Sequence, residues 1–420
     1  MEYFASLLLL LTALRCTTRT RFVQFRRFCS ALAAPFRKGA ACGGVSPFEA
    51  AATSLASTIG TGNIAGVAGA ILLGGPGTVF WMWVTALPGM AAKYVEIYFG
   101  MRCREGALIG PMAYIRKLLP RGMGLLAPLY AAICAVSCLT MGNLVQINAA
   151  SEAVAALAES VSGRSPALLP LAVGVTGAAA VGAVQYGGAR RVGKAAAFLV
   201  PVMSCLYIVC SLLAILTNLP RLPGAFAAIL KGAWTPKAFL MGVSRGMFSH
   251  EAGLGTAAVA HASADTDNAH GQALYGIFEV FFDTLVICTL TALAVLCTDG
   301  SQPGGDAGRL VINAFSGLLG TVGAGIVVSL SLILFAFSSI LSFSLYGSLC
   351  AGYLLGKKGA AAYRLVFLPL IALGACLKVS AAWKLADVSN MALAVVNSVA
   401  LLFLLRKKAP QSACGALRQR

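Results

Sequence analysis

Ser57-Thr58-Ile59-Gly60-Thr61-Gly62-Asn63-Ile64-Ala65-Gly66 lies inside an otherwise apolar run from Ala50 to Leu73. A run of that length matches a bilayer, whose hydrocarbon core takes about 20 residues of helix. Its middle does not suit a helix. Each glycine in a helix interior costs roughly 1 kcal/mol relative to alanine, and Gly60, Gly62 and Gly66 stand among two threonines and an asparagine. At membrane depth, such backbone is tolerated only where protein buries it or a wet cavity runs along it. The stretch reads as a broken helix that offers backbone groups to a small polar ligand.

The totals agree with a membrane setting. Of 420 residues, 59% are hydrophobic and 11% charged, and the mean hydropathy is +0.83; a soluble domain carries about 25% charged residues. The net charge of +18 sits in short loops between apolar runs, which excludes a nucleic-acid surface and fits the positive-inside rule. Thirteen cysteines form no C-x-x-C pair, and three histidines without a cysteine pair do not make a metal site. There is no G-x-x-x-x-G-K-[ST] for ATP-driven pumping.

Outward from the opening stretch, the apolar runs predict a short leader, 3–14, and ten spans. These are 47–73, 78–101, 125–158, 166–186 and 195–217, then 238–262, 272–297, 311–355, 362–382 and 385–405. The ninth run from the start is too long for one span, and it is expected to begin with an interfacial helix over 311–319. The leader lacks a basic n-region and a small-residue cleavage site, so it does not read as a signal peptide. At about 12 residues it is short for a span. Placing the segment after the leader on the cytoplasmic side puts 23 Lys and Arg inside and seven outside, with Lys93 and Arg245 within helices. Both ends of the core are then cytoplasmic and the protein sits in the plasma membrane, as in a bacterial-type inner membrane.

Ten spans divide into five and five. The first span of the second half is interrupted as well, over Arg245-Gly-Met-Phe248-Ser249-His250-Glu251-Ala-Gly253-Leu-Gly255-Thr256. Interrupted segments at matching places in two halves point to a transporter site at a repeat interface, and an odd number of spans per half makes the repeats inverted. The expected organisation is a leader and basic segment over 1–46, repeats over 47–218 and 238–406, a connector over 219–237 and a basic tail over 407–420. Both interruptions match G-x-G-x-x-A, but neither follows a strand, so a dinucleotide site is rejected.

The sequence resembles the alanine or glycine:cation symporter family, the sodium:alanine symporters. The resemblance rests on Arg21–Phe28, Gly44–Phe48, Gly60–Ala65, Gly74–Gly77, Phe80–Trp83, Gly110–Met112, Gly142–Gln146, Phe248–Gly255, Phe278–Asp283 and Trp383–Asp387, in family order. It implies an all-α polytopic fold of ten core helices in two inverted repeats with discontinuous first helices, first described for sodium-coupled amino-acid transporters. It also implies uptake of small neutral amino acids with sodium. The chain departs from the family pattern in its shorter leading helix, in Ala257-Ala258 where a small residue and proline are common, in Ser338-Ser339 where two threonines are usual, and at two further positions. His250 stands where asparagine is common, and Phe343 stands where a pocket tryptophan is usual and is expected to leave more room.

A zwitterion must replace its lost hydration with fixed partners. Amides at Gly60, Thr61, Gly62 and Asn63, at the positive end of a half-helix, suit a carboxylate. Asn63 adds an amide side chain, and Gln146 matches a family pocket glutamine, with Asn143 and Asn148 nearby. Phe248 supplies an apolar wall, and carbonyls freed at the second break suit an ammonium. Sodium wants hard oxygens, for which Thr58, Ser338 and Ser339 are candidates; Ser339 and Phe343 are also placed at the substrate. Asp283, a carboxylate in an apolar run, is assigned to coupling. Lys93 and Glu96, one turn apart, are expected to pair, Glu251 to brace the second break, and His250 to be a satisfied polar residue beside it, with a pH response of transport as the alternative. No organic cofactor, nucleic acid or metal beyond sodium is expected; the partners are sodium, a small neutral amino acid and lipid. Proton coupling on the same fold is the close alternative. An ion channel is less favoured because no filter ring is present. Adjacent Ser249 and His250 cannot form a nucleophile–base pair on a helix, which argues against an enzyme.

Overall fold

The structure, a computed structural model, describes residues 2–37, 44–298, 307–377 and 379–407. Among them it is helical, with two isolated bridges, Val45 with Ala264 and Glu105 with Leu108. The basic tail from 408 onward lies outside the described residues.

The first core helix starts where its sequence stops it from starting earlier. Ser46 and Glu49 form a capping box: the Ser46 hydroxyl accepts from the Glu49 amide at 3.2 Å and the Glu49 carboxylate from the Ser46 amide at 2.8 Å. After the leader helix α1 (Glu2–Arg19), this defines α2 (Pro47–Thr58). Helix α2 ends where Asn63 intervenes, its side-chain carbonyl accepting from the Gly60 amide at 3.0 Å. A local side chain thereby takes a donor the helix needed. One 3-10 turn later the chain resumes as α3 (Ala65–Gly74).

Then come α4 (Thr78–Cys103), α5 (Gly110–Leu118), α6 (Leu126–Leu139), α7 (Gln146–Ser162), α8 (Leu169–Gln185) and α9 (Gly188–Leu216). The connector is itself helical over α10 (Leu222–Gly232). The second interrupted span is α11 (Pro236–Ser249) and α12 (Thr256–His261), followed by α13 (Ala269–Val280), α14 (Thr289–Cys297), α15 (Ala307–Ala375) and α16 (Val379–Lys407). At 1.5 Å per residue, α15 would be about 100 Å long if straight, several times a bilayer. It bends at Gly320 and Gly356, both with positive φ, which separates the expected interfacial helix and the two spans.

Two details differ from the sequence reading. The leader helix runs to Arg19, past the apolar run, because the hydroxyls of Thr12 and Thr17 bond back to the carbonyls of Leu8 and Ala13 and extend the polar end. The spans over 125–158 and 272–297 each contain a wide π turn, Thr140–Val145 and Phe281–Cys288. Helix α9 leaves Phe198, Val202, Val209, Leu212 and Leu216 exposed along one face. An apolar outward stripe of that kind faces lipid.

Candidate functional site

The break in the first core helix frees carbonyls that the second half of the molecule collects. With α2 ended at Thr58, the Gly60 amide turns to the Thr58 carbonyl at 3.0 Å and leaves the Ala56 carbonyl without a helical donor. The Ser339 hydroxyl, from α15, fills that place, donating to Ala56 O at 2.9 Å and reaching Ile59 O at 3.5 Å. Gly60 is where α7 and α15 come closest to the break. A Cβ there would lie 2.9 Å from Ser339 Oγ and 3.0 Å from Gln146 Oε1. Gln146 Oε1 in turn accepts from both the amide and the hydroxyl of Thr61, each at 3.1 Å.

Below Asn63 lies a second polar cluster. Asp283, fully buried in the π turn, accepts from Asn63 Nδ2 at 2.6 Å, Ser249 Oγ at 2.9 Å and Thr284 Oγ1 at 2.8 Å. One carboxylate thus ties the first break, the end of α11 and the helix after α13 together. Arg245 lines the cavities described next.

Between the two breaks is a cavity of about 60 Å³, walled in part by Thr58, Gly60, Gly62, Gln146, Phe248 and Ser249. A larger one of about 240 Å³ runs along α3 toward Leu73 and shares Gly66 and Arg245 with the first; Glu152 and Arg309 also line it. Thr61, Asn63 and Ser339 stand behind the inner cavity's wall through the bonds given above. Ser338 and Phe343 are not among its lining residues. The Ser338 hydroxyl donates to Phe335 O on its own helix at 2.9 Å, and Phe343 packs into the π turn, where a Cβ on Gly142 would lie 2.2 Å from Phe343 Cγ.

The second break uses its carbonyls differently from the first. Lys93 donates to His250 O at 3.1 Å, Asn397 to Gly253 O at 2.8 Å and Tyr130 to Leu254 O at 2.9 Å. Glu251, at φ 54°, accepts from the Thr256 hydroxyl at 2.7 Å across the same turn. The predicted Lys93–Glu96 pair does not form as the ion pair of this helix. Lys93 Nζ lies 3.1 Å from Glu279 Oε2, while Glu96 accepts from Asn397. Helix α4 passes between α13 and the second break, and its two buried charges find partners on other helices, Lys93 on α13 and Glu96 on α16. Asn143 and Asn148 hold helices together, donating to the carbonyls of Phe367 and Gly374.

What the sequence reading missed are backbone groups and a partner: the carbonyls of Ala56 and Ile59, and Glu279. Nothing in a side-chain motif marks a carbonyl. Glu279 was within the quoted Phe278–Asp283 stretch and was passed over for Asp283.

The sodium:alanine symporter family's sequence profile matches residues 1–413. The chain belongs to that family. It is 38% identical to the sodium/alanine symporter AgcS of Methanococcus maripaludis, over 94% of this chain and 90% of that protein. It is 36% identical to the probable sodium/glutamine symporter GlnT of Bacillus subtilis, over 95% and 85%. Among solved structures, this chain shares its fold with MhsT, crystallised with L-phenylalanine, at a TM-score of 0.67 and 14% identity, covering 87% of this chain and 89% of that one. This member is therefore a multi-pass membrane protein, helical among its described residues, of a family of secondary transporters.

Proposed function

We propose that this transporter imports a small neutral amino acid, alanine or glycine in type, together with sodium by alternating access. The observation that carries the reading is the Ser339 hydroxyl held between Ala56 O and Ile59 O. Two carbonyls released by a helix break, facing a hydroxyl from another helix, make a set of hard oxygens for a monovalent cation. Sodium entering there turns the hydroxyl round, so that its oxygen faces the ion; Ser338 and Thr58 lie next to this set on the same two helices.

The substrate carboxylate takes the place that Gln146 Oε1 now occupies at the amide and hydroxyl of Thr61. The positive end of the 3-10 turn and the Gly60–Asn63 amides support it. The last carbonyls of α11, orphaned by the second break, suit the ammonium, and Phe248 walls the side chain. A cavity of about 60 Å³ has room for about two waters, so a small occupant displaces Gln146 rather than coexisting with it. Asp283, through Asn63, conveys occupancy of the first break to α11 and α13. The two halves, 47–218 and 238–406, act as inverted repeats about this site, with both core ends cytoplasmic in the plasma membrane.

The test is uptake of labelled alanine into liposomes under an imposed sodium gradient. Uptake that persists unchanged when potassium replaces sodium would defeat the sodium assignment. Uptake driven equally well by a pH gradient alone would favour proton coupling instead.

A further inference from the structure

We propose that His261, with Glu279 and Gln272, forms a proton-binding site whose filling releases the first half-helix α2 from the rest of the molecule. The site is separate from the sodium and amino-acid positions and does not depend on which solute is carried.

His261 is the last residue of α12 and is wholly buried. Its Nε2 lies 2.7 Å from Glu279 Oε1, and its Nδ1 lies 2.7 Å from Gln272 Nε2. The same Gln272 nitrogen donates to the carbonyl of Pro47 at 3.0 Å, while Gln272 Oε1 is buried without a partner. This pattern fixes the protons. An amide nitrogen carries two hydrogens, and here one goes to Pro47 O and the other to His261 Nδ1. Turning the amide over would set its oxygen against the Pro47 carbonyl, so the orientation follows from the network. Nδ1 is therefore the acceptor, Nε2–H donates to Glu279, and the imidazole is neutral. Lys93, 3.1 Å from Glu279 Oε2, balances the carboxylate.

An added proton can enter only at Nδ1, where it meets the Gln272 N–H. The amide must then rotate, and its unpartnered Oε1 becomes the acceptor of Nδ1–H. The rotation removes the bond to Pro47 and turns an oxygen toward that carbonyl. Pro47 is the first residue of α2. The start of α2 is otherwise clasped to the segment after α12 by Asp265 N donating to Val45 O at 2.7 Å, and further along by Ser54 Oγ donating to Glu279 Oε2 at 2.7 Å. Protonation exchanges one of these ties for a repulsion and adds a positive charge beside a second.

The charged and titratable groups around His261 are Glu279 and Tyr275 on α13, Lys93 on α4 and Arg104 just after it, Glu49 on α2 and Asp265 beyond α12. Tyr275 faces the ring at 6.4 Å, and Arg104 holds the carbonyls of Ala262 and Ala264. Glu49 is occupied by its own cap. His250, for which a pH response was the alternative reading, makes no ion pair with a described carboxylate. Its Nδ1 accepts from the Ala252 amide, and its ring is pressed on Gly89.

The test is hydrogen exchange of the segment 44–58 in the full-length protein in nanodiscs, compared at about pH 6 and about pH 8, the range over which a histidine titrates, after correction for intrinsic exchange. Protection in the parent is expected to fall on acidification by about fivefold, the effect of one lost hydrogen bond. His261→Gln is expected to show no such fall, Gln272→Met to be weakly protected at both pH values, and His250→Asn to behave as the parent. A parent without the fall, a fall that survives in His261→Gln, or strong protection in Gln272→Met would each overturn the proposal. Sodium and alanine binding by the same variants is read separately, so failure of the transport reading leaves this result interpretable.

Discussion

A hydroxyl that donates to two carbonyls has to reverse when a cation takes the space between them. Ser339→Ala removes that oxygen and leaves the Ala56 and Ile59 carbonyls in place. The half-saturating sodium concentration for alanine uptake is expected to rise about tenfold, equivalent to about 1.4 kcal/mol, while Ser339→Thr stays near the parent. Phe343 leads to a different expectation from the one its sequence position suggested. It packs into Gly142 and stands edge-on to Tyr346 at 5.7 Å between centroids. Phe343→Trp therefore overfills a closed contact, and a loss of about 1–3 kcal/mol in stability is expected, read as a lower melting temperature in detergent; an unchanged melt with a narrower substrate range would restore the pocket placement. Residues whose role rests on their own backbone conformation were legible before any coordinates. Gly60, Gly62 and Asn63 declare a break because small and amide side chains compete with a helix. Lys93 was misread because an i, i+3 spacing shows which charges are close along a helix but not which lie across from them.

The two π turns carry residues to the site that a regular helix would aim elsewhere. Each adds a residue to a turn and displaces the register after it, and such turns occur mostly at functional sites. Thr140–Val145 ends immediately before Gln146, and Phe281–Cys288 contains Asp283. Neither was visible in the sequence, because one extra residue barely disturbs an apolar run that is hydrophobic on most faces. The helices themselves were legible, down to the bend near Gly320, because the runs are long and glycine punctuates them. Gly142→Ala sets a methyl against Phe343 in the first π turn and is expected to cost about 1–3 kcal/mol, measured by thermal unfolding. The interface of α4 with α13 supplies a sharper test. Glu279→Leu leaves Lys93 buried without its carboxylate, a loss of about 3–5 kcal/mol, seen as poor yield of folded protein. Lys93→Met combined with Glu279→Leu is expected to recover most of it, and a double variant no better than the single would show that the pair is not the source.

Across the whole molecule, the proposed positions of sodium at the first break and of the amino acid at Thr61 share α2, the 3-10 turn and α15. Coupling between them is reciprocal by thermodynamic necessity. Sodium is expected to tighten alanine binding by the same factor by which alanine tightens sodium, measured by calorimetry in each order of addition; an alanine affinity that is the same with and without sodium would defeat the shared placement of the two. The helical, multi-pass organisation was readable from the apolar runs, since these are properties of segments. How the halves meet was not, because it depends on side chains that find each other only in the folded protein.

The Lys93–Glu279 contact also bears on how the chain is made. Lys93 lies on the second core helix, and Glu279 belongs to the seventh. A lysine at the centre of an inserting helix costs about 2.5–3.5 kcal/mol on translocon scales, and its carboxylate is synthesised only after the entire first half and the connector. During biosynthesis α4 must therefore wait, held by the insertion machinery or by neighbouring helices, until α13 arrives. Lys93 thus meets its buried partner only late in synthesis, so the contact that closes α4 against α13 is among the last to form.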